Sequence, residues 1–432
     1  MDHFTTYLAR TSYLLERGRP VQDVLWYLGD EVGHKPSQYT RSGKRQSGEI
    51  RFPEGFKYDY CNPDALLTRM SVKDGKIVTP EGIEYEVLWI PETERMLPGT
   101  VEKIGELLKA GAKVIANAPT GVATLKEGEA DKLAKAVESV WSGTSKGVNK
   151  IGKGRLAVGM SLDEALKAFG LKPHIEDGGA EIIWNEREVQ GARWYYIAAP
   201  VGEAFNGIIR LEGKGKAEWW DPVSGTVKSL KAKGWGRMKK IHLDLAEAES
   251  GFVVFRNGSS SPSVKERAFA KAEPKGSVAL EGWTVKFPGG WGAPAEPVSL
   301  KELKPWKDLP LGDEGKSFSG TATYETTFTI GKDQLGKELT LDLGKVDFIA
   351  DVKINGKCAG VLWTEPYSLN ISELVQEGEN KISVDVTSTW YNRLVFDASL
   401  PEAQRKTWTI AGPAAGSEFH NSGLLGPVKI EY

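Results

Sequence analysis

Cysteine is nearly absent from this chain: Cys61 and Cys358 are the only two in 432 residues. Two thiols so far apart, in segments that read as different domains, exclude a disulfide framework and a multi-cysteine zinc site. Histidine is scarce too. His3, His34, His174, His242 and His420 are scattered, with no HExxH or HxH spacing. Excess charge is also missing: 56 Lys and Arg stand against 58 Asp and Glu, a formal net charge of −2. The basic residues are spread throughout, so a nucleic-acid partner has no electrostatic footprint. No apolar run approaches the length of a membrane span, so no membrane partner is expected. The opening Met1-Asp-His-Phe-Thr-Thr-Tyr7 has no basic n-region and no apolar h-region, and is not expected to be a signal peptide.

What is present is ordinary globular composition, 40% hydrophobic and 26% charged. The length suits two to four domains at roughly 100–200 residues each. Fourteen Trp fit sugar binding as well as core filling, because an indole offers a large apolar face with one polar handle.

The pattern along the chain divides it into four parts. Phe4, Tyr7, Leu8, Thr11, Leu14 and Leu15 follow helical spacing, with Gly18 as a stop. The runs 21–28, 85–90 and 112–116 are mostly apolar, as buried parallel strands are, and a helix over 99–110 joins the last two. Strand, crossover helix and strand make a βαβ unit, so 21–175 reads as a small α/β domain of flavodoxin or amidotransferase type. Within it Asp74-Gly75 marks a hairpin turn, and Ser161 with Glu164 a capping box. Residues 176–260 carry short strands between Gly- and Pro-rich turns and read as an antiparallel β-sandwich. Residues 258–263 read as a linker. Residues 261–432 alternate with period two and read as an all-β jelly roll, with Asn355-Gly356 at a type I′ turn. The expected class is multidomain α/β plus all-β.

Four groups of residues invite a chemical reading. Asp30 and Glu31 follow the first parallel strand at the edge where open α/β sheets bind ligands. They suit a sugar hydroxyl or a hard cation, or equally a solvated loop. Tyr58 and Asp59, after the polar loop 34–50, combine a ring for a sugar face with a hydroxyl acceptor; Asn62 or Asp64 could merely cap the next helix. Cys61 lacks the small neighbours of a nucleophile elbow and reads as a bystander. In the last domain Trp363 and Glu365, with Trp390, Asn392 and Arg393, could stack on a pyranose and fix its hydroxyls. They could equally close the core, with Arg393 and Asp397 forming an internal salt bridge. No eightfold βα repeat appears, so the paired carboxylates of a barrel glycosidase are not legible here.

Taken in order, several stretches carry a likeness. They include Asp23-Val-Leu-Trp-Tyr-Leu-Gly-Asp-Glu31, Tyr58-Asp59-Tyr60, Trp220-Asp-Pro222, Phe318-Ser-Gly-Thr-Ala-Thr-Tyr324, Trp390-Tyr-Asn-Arg-Leu394 and Ser422-Gly-Leu-Leu-Gly-Pro427. The chain resembles the C-terminal part of glycoside hydrolase family 106, the α-L-rhamnosidases, and its tail resembles the galactose-binding-like domain of family 2 glycosidases. The resemblance implies removal of terminal α-L-rhamnosyl residues from plant polysaccharides or glycosides. It implies two catalytic glutamates in a barrel upstream, so no catalytic residue is expected within this chain. Residues 1–20 would then be the barrel's last helix, and the barrel itself a partner. The resemblance further implies bound calcium, with no metal ligand assigned here. The family is often exported in bacteria, while the sequence itself gives no location. The competing expectation is a non-catalytic carbohydrate-binding or scaffolding protein.

Overall fold

The computed structural model describes residues 2–31, 52–91, 94–180, 182–234, 236–256 and 274–432. The loop 34–50 and the linker 258–263 lie outside the described residues. The chain divides into two compact units, one built mainly from 6–245 and 250–269, the other mainly from 270–432.

The first unit holds a parallel sheet and a sandwich. Val24–Tyr27, Tyr58–Cys61, Val87–Trp89, Lys113–Ile115 and Gly154–Val158 run parallel in the spatial order second, first, third, fourth, fifth; Gly147–Ile151 closes one edge antiparallel. Helices α2 (Pro63–Arg69), α3 (Pro98–Ala110) and α4 (Glu129–Trp141) cover one face through Leu66, Ile104 and Val140, packed on Leu25, Leu88 and Val114. Helix α5 (Leu162–Ala168) covers the other through Leu162 and Leu166, against Val24, Trp26, Val87 and Ile115. Both faces are buried, which is why these strands read as unbroken apolar runs rather than as alternation. The local signals hold: Asp74 and Gly75 take positive φ at the hairpin tip, and the capping box at Ser161 and Glu164 is complete.

The sandwich packs a six-stranded antiparallel sheet on a four-stranded one. Tyr195, Ile197, Trp219, Val253 and Phe255 face Ile209, Leu211, Ile241 and Leu243 across its core. A side chain at Gly251 would meet the Trp219 ring at 2.2 Å, so this position admits only glycine. The sheet also recruits residues from before the parallel domain. Arg19–Pro20 pairs antiparallel with Arg187 and Glu188, so the sandwich starts earlier than the 176 boundary read from sequence. Helix α1 (Asp2–Leu15) has no buried residue; Tyr7 meets Ser250 Oγ at 2.8 Å, and Arg10 donates to the Val223 carbonyl at 2.8 Å.

The second unit stacks a six-stranded antiparallel sheet, centred on Thr321–Ile330 and Gly378–Thr387, against a four-stranded one. Tyr324, Ile330, Val352, Val384 and Leu341 fill the space between. This unit is not all β as expected: it carries α6 (Gly312–Lys316) and α7 (Tyr391–Ala398).

Candidate functional site

The strand order of the parallel sheet reverses between its first and third strands, and the loops beyond their carboxyl ends frame the crevice where such sheets bind ligands. Asp30 stands there, but its carboxylate is already occupied. Oδ1 accepts from Tyr27 Oη at 2.7 Å and Thr100 Oγ1 at 2.8 Å, and Oδ2 accepts from Leu97 N at 2.9 Å. Leu97 is the N-cap of α3 and has no polar side chain. Asp30 therefore supplies from a distance the carboxylate that satisfies this helix start and complements its positive end. Burial pushes the Tyr27 phenol far above its usual range, so it stays a donor. Glu31 is exposed and, among the described residues, pairs with Arg95 at 3.7 Å. The two acids do not converge.

Tyr58 and Asp59 are also separated, by the alternation of the strand that carries them. Asp59 lies on the α2–α3 face, accepting from Tyr85 Oη at 3.0 Å, and burial raises its carboxyl. Tyr58 lies on the opposite face among Phe52 (4.4 Å between ring centroids), Trp26 (5.2 Å) and Tyr60 (5.3 Å). One sugar cannot use both. Asn62 caps α2 by accepting from Ala65 N at 2.8 Å. Cys61 is buried, which lifts its thiol to about 12, away from nucleophilic use.

A dense polar cluster in this unit centres on His174, which the sequence reading does not single out. His174 Nε2 lies 2.9 Å from Asp23 Oδ1, while Nδ1 lies 2.9 Å from Glu186 Oε2 and 3.3 Å from Glu212 Oε2. The Nδ1–H is out of line with both glutamates, so those contacts are ionic rather than hydrogen bonds. Burial alone would lower this imidazole; Asp23 and Glu186 outweigh it and lift His174 to about 10. Around it Arg193 pairs with Glu186 at 2.6 Å and Arg237 with Glu212 at 2.7 Å. Burial drives Lys57 down to about 8 despite Asp23 and Glu186. Asp23 comes from the parallel domain and the glutamates from the sandwich, so the imidazolium is an ionic seam between them. A cleft of about 110 Å³ opens beside it, lined by Arg19, Lys76, Glu84, Glu188 and Arg193 among others. Its charges neutralise one another: Arg19 meets Glu84 and Glu188, and Lys76 meets Glu84 and Glu86. Nothing in sequence marks His174, whose partner Asp23 is 151 residues away.

In the second unit Arg393 is fully buried, bonded to Asp397 Oδ1 at 2.5 Å and Glu314 Oε1 at 2.7 Å. Burial would raise Asp397, but Arg393 and Thr407 hold it below the usual carboxylate range. Asn392 is buried too, donating to the His420 carbonyl and accepting from His420 N. These two side chains brace the fold and lie out of reach of a sugar, in line with the internal salt bridge foreseen as one reading. Trp363 is half-buried and edge-on to Phe4, at 5.3 Å; Glu365 is half-buried at the turn that follows. Only Trp390 of the group is well exposed, with its ring edge-on to Trp291 at 5.1 Å.

Calcium needs six to eight oxygens. Among the described residues no group of three or more His, Cys, Asp or Glu could hold a metal, and the oxygens of Asp30 are spent on α3. Asp30 and Glu31 do not fit the ion. Among the described residues no helix is long and apolar enough to cross a membrane.

Comparison with known proteins places this arrangement. A family profile described as alpha-L-rhamnosidase matches residues 1–233, and one described as a glycosyl hydrolase 2 galactose-binding domain-like module matches 314–418. A solved rhamnosidase structure from Novosphingobium sp. PP1Y is 29% identical, with a TM-score of 0.79; the match covers 100% of this chain and 41% of that one. A curated protein of Formosa agariphila, named "Putative beta-glucuronidase", is 37% identical over 187 residues, 37% of this chain and 16% of its own length. The chain thus spans less than half of either relative.

Proposed function

Because the chain belongs to the alpha-L-rhamnosidase family, we propose that it is the portion of a glycoside hydrolase that supports hydrolysis of terminal α-L-rhamnosyl residues on plant polysaccharides or glycosides. The observation that carries this reading is the match of the whole chain to 41% of a rhamnosidase. The catalytic carboxylates then belong to a barrel outside these residues. The acids expected at the crevice fit a supporting role: Asp30 fixes α3 and Asp59 is tied to Tyr85, which leaves Glu31 as the exposed acid of the four residues read there. On the same reading the parallel domain is flavodoxin-like, an assignment supported by its strand order.

The test is turnover of 4-nitrophenyl α-L-rhamnoside. This chain alone is expected to give none, and hydrolysis by it would overturn the placement of catalysis elsewhere. The enzyme that includes the barrel should cleave the rhamnoside and spare 4-nitrophenyl β-D-glucuronide. Cleavage of the glucuronide alone would sink the substrate assignment.

A further inference from the structure

The parallel domain and the sandwich each close a core of their own, and among the described residues no hydrophobic cluster joins them. The chain passes between them twice, at 21–23 and 171–174, in neither helix nor strand. Pro20 precedes the first passage and Pro173 stiffens the second. His174 Nε2 lies 2.9 Å from Asp23 Oδ1, so the two passages run side by side and define one axis. Polar contacts hold the seam around it. Arg19, on the sandwich's edge strand, meets Glu84 of the parallel domain at 3.5 Å and donates to the Gly82 carbonyl at 3.3 Å. His174 N donates to the Gly55 carbonyl at 2.9 Å, and Asp177 N to Glu54 Oε1 at 3.2 Å. Gly55 sets backbone against backbone there, since a side chain would meet the Ile175 carbonyl at 2.2 Å. Lys57 Nζ lies 4.2 Å from the centre of the Trp184 ring. The cleft beside His174 is lined from both domains.

Burial of apolar surface is what welds two domains together, because its return to water is costly. Ion pairs and single hydrogen bonds part more readily, since water replaces each polar partner as it leaves. Two adjacent passages of a few residues can then absorb a rotation while both cores stay intact. We propose that the parallel domain is hinged on the sandwich at 21–23 and 171–174, and that His174, gripped between Asp23 and two glutamates, is the latch that keeps the cleft closed. The charged and titratable groups that face the latch are Asp23 and Lys57 from the parallel domain, with Glu186, Arg193, Tyr195, Glu212 and Arg237 from the sandwich. The ring keeps its proton to about 10, so the joint is latched at neutral pH and loosens in alkali. The hinge does not depend on which glycoside the enzyme cleaves.

Pulsed electron resonance between nitroxide pairs tests the proposal on the full chain, with Cys358→Ser removing the exposed thiol and buried Cys61 left in place. One pair spans the seam, Glu138→Cys on α4 and Lys228→Cys on the sandwich. Two control pairs stay within a domain: Glu138→Cys with Lys73→Cys, and Lys228→Cys with Lys240→Cys. All four positions are exposed. At pH 7 the spanning pair should give one main distance. With His174→Gln added, a second distance should gain population by roughly tenfold or more, the effect of losing one charged hydrogen bond. The same second distance should grow with His174 intact at pH 10, while both control pairs keep their distances throughout. A spanning distance unchanged in His174→Gln and at pH 10 overturns the hinge. So does broadening of the control pairs together with the spanning one, which would mean that the seam parts only when the domains unfold. The measurement at pH 10 needs no change at His174, so the proposal stays testable if His174→Gln fails to fold.

Discussion

Neutralising His174 is the perturbation whose consequence can be worked furthest. Its partners arrive from every side: Asp23 from the parallel sheet, Glu186 and Glu212 from the sandwich, with Lys57, Arg193 and Arg237 beyond them. A histidine lifted from about 6.5 in the unfolded chain to about 10 in the fold binds its proton more tightly when folded. Its contribution is therefore complete below pH 6.5 and is lost as pH rises towards 10. Within that window stability falls with a slope of about 1.4 kcal/mol per pH unit. Lys57 acts oppositely. Its folded value of about 8 lies below the unfolded one, so its term makes stability rise above pH 8 and offsets the histidine there. The diagnostic interval is thus pH 6.5 to 8, over which the wild type should lose about 2 kcal/mol that His174→Gln does not lose. Urea unfolding of both proteins at pH 6.5, 7.2 and 8, followed by hydrogen exchange in residues 192–198, measures the difference. Parallel pH profiles, or a His174 ring resonance that titrates near 6.5, would refute the reasoning.

Three further outcomes follow from the same contacts. In the native protein, thiol reagent should label exposed Cys358 and spare buried Cys61, and Cys61→Ala should leave rhamnoside turnover by the barrel-bearing enzyme unchanged; rapid labelling of both thiols contradicts this. Arg393→Met should destabilise the second unit by about 3–5 kcal/mol, because it strands Asp397 without its cation, and a melting shift below about 2 °C would show that the pair is replaceable. Asp30→Ala should cost about 1–3 kcal/mol by leaving Leu97 N and the two hydroxyls without an acceptor, whereas Glu31→Ala should stay within about 0.5 kcal/mol. Equal effects in urea unfolding would mean that Asp30 does not cap α3.

What could be read from sequence was the part encoded over a few residues. The turns at Asp74-Gly75 and Asn355-Gly356 need only positive φ in adjacent residues, and the Ser161–Glu164 box needs only three-residue spacing. Helix α7 is not legible in the sequence because it departs from both habits of a surface helix. Its N-cap is Trp390, with no capping oxygen, and the face it buries carries Asn392, Arg393 and Asp397. The helix is amphipathic, but it turns its polar side inward, and partners distant in sequence such as Glu314, Thr407 and His420 make that burial tolerable. The same distance hid the His174 seam. Adjacency in sequence groups Tyr58 with Asp59, but adjacency in a strand sends two side chains to opposite faces.

The pairing of Arg19–Pro20 with Arg187 and Glu188 bears on how the chain is made. Those partners lie 169 residues apart, and the whole parallel sheet is synthesised between them. At about 5–20 residues per second, the edge strand waits on the order of ten seconds or more before its neighbour leaves the ribosome. The inserted domain has time to fold first, and its two ends, at Val21 and His174, then return to one place on the sandwich. Assembly of the sandwich becomes an act of closure around a finished guest, so a mutation that delays the parallel sheet should surface as misassembly of strands it never touches.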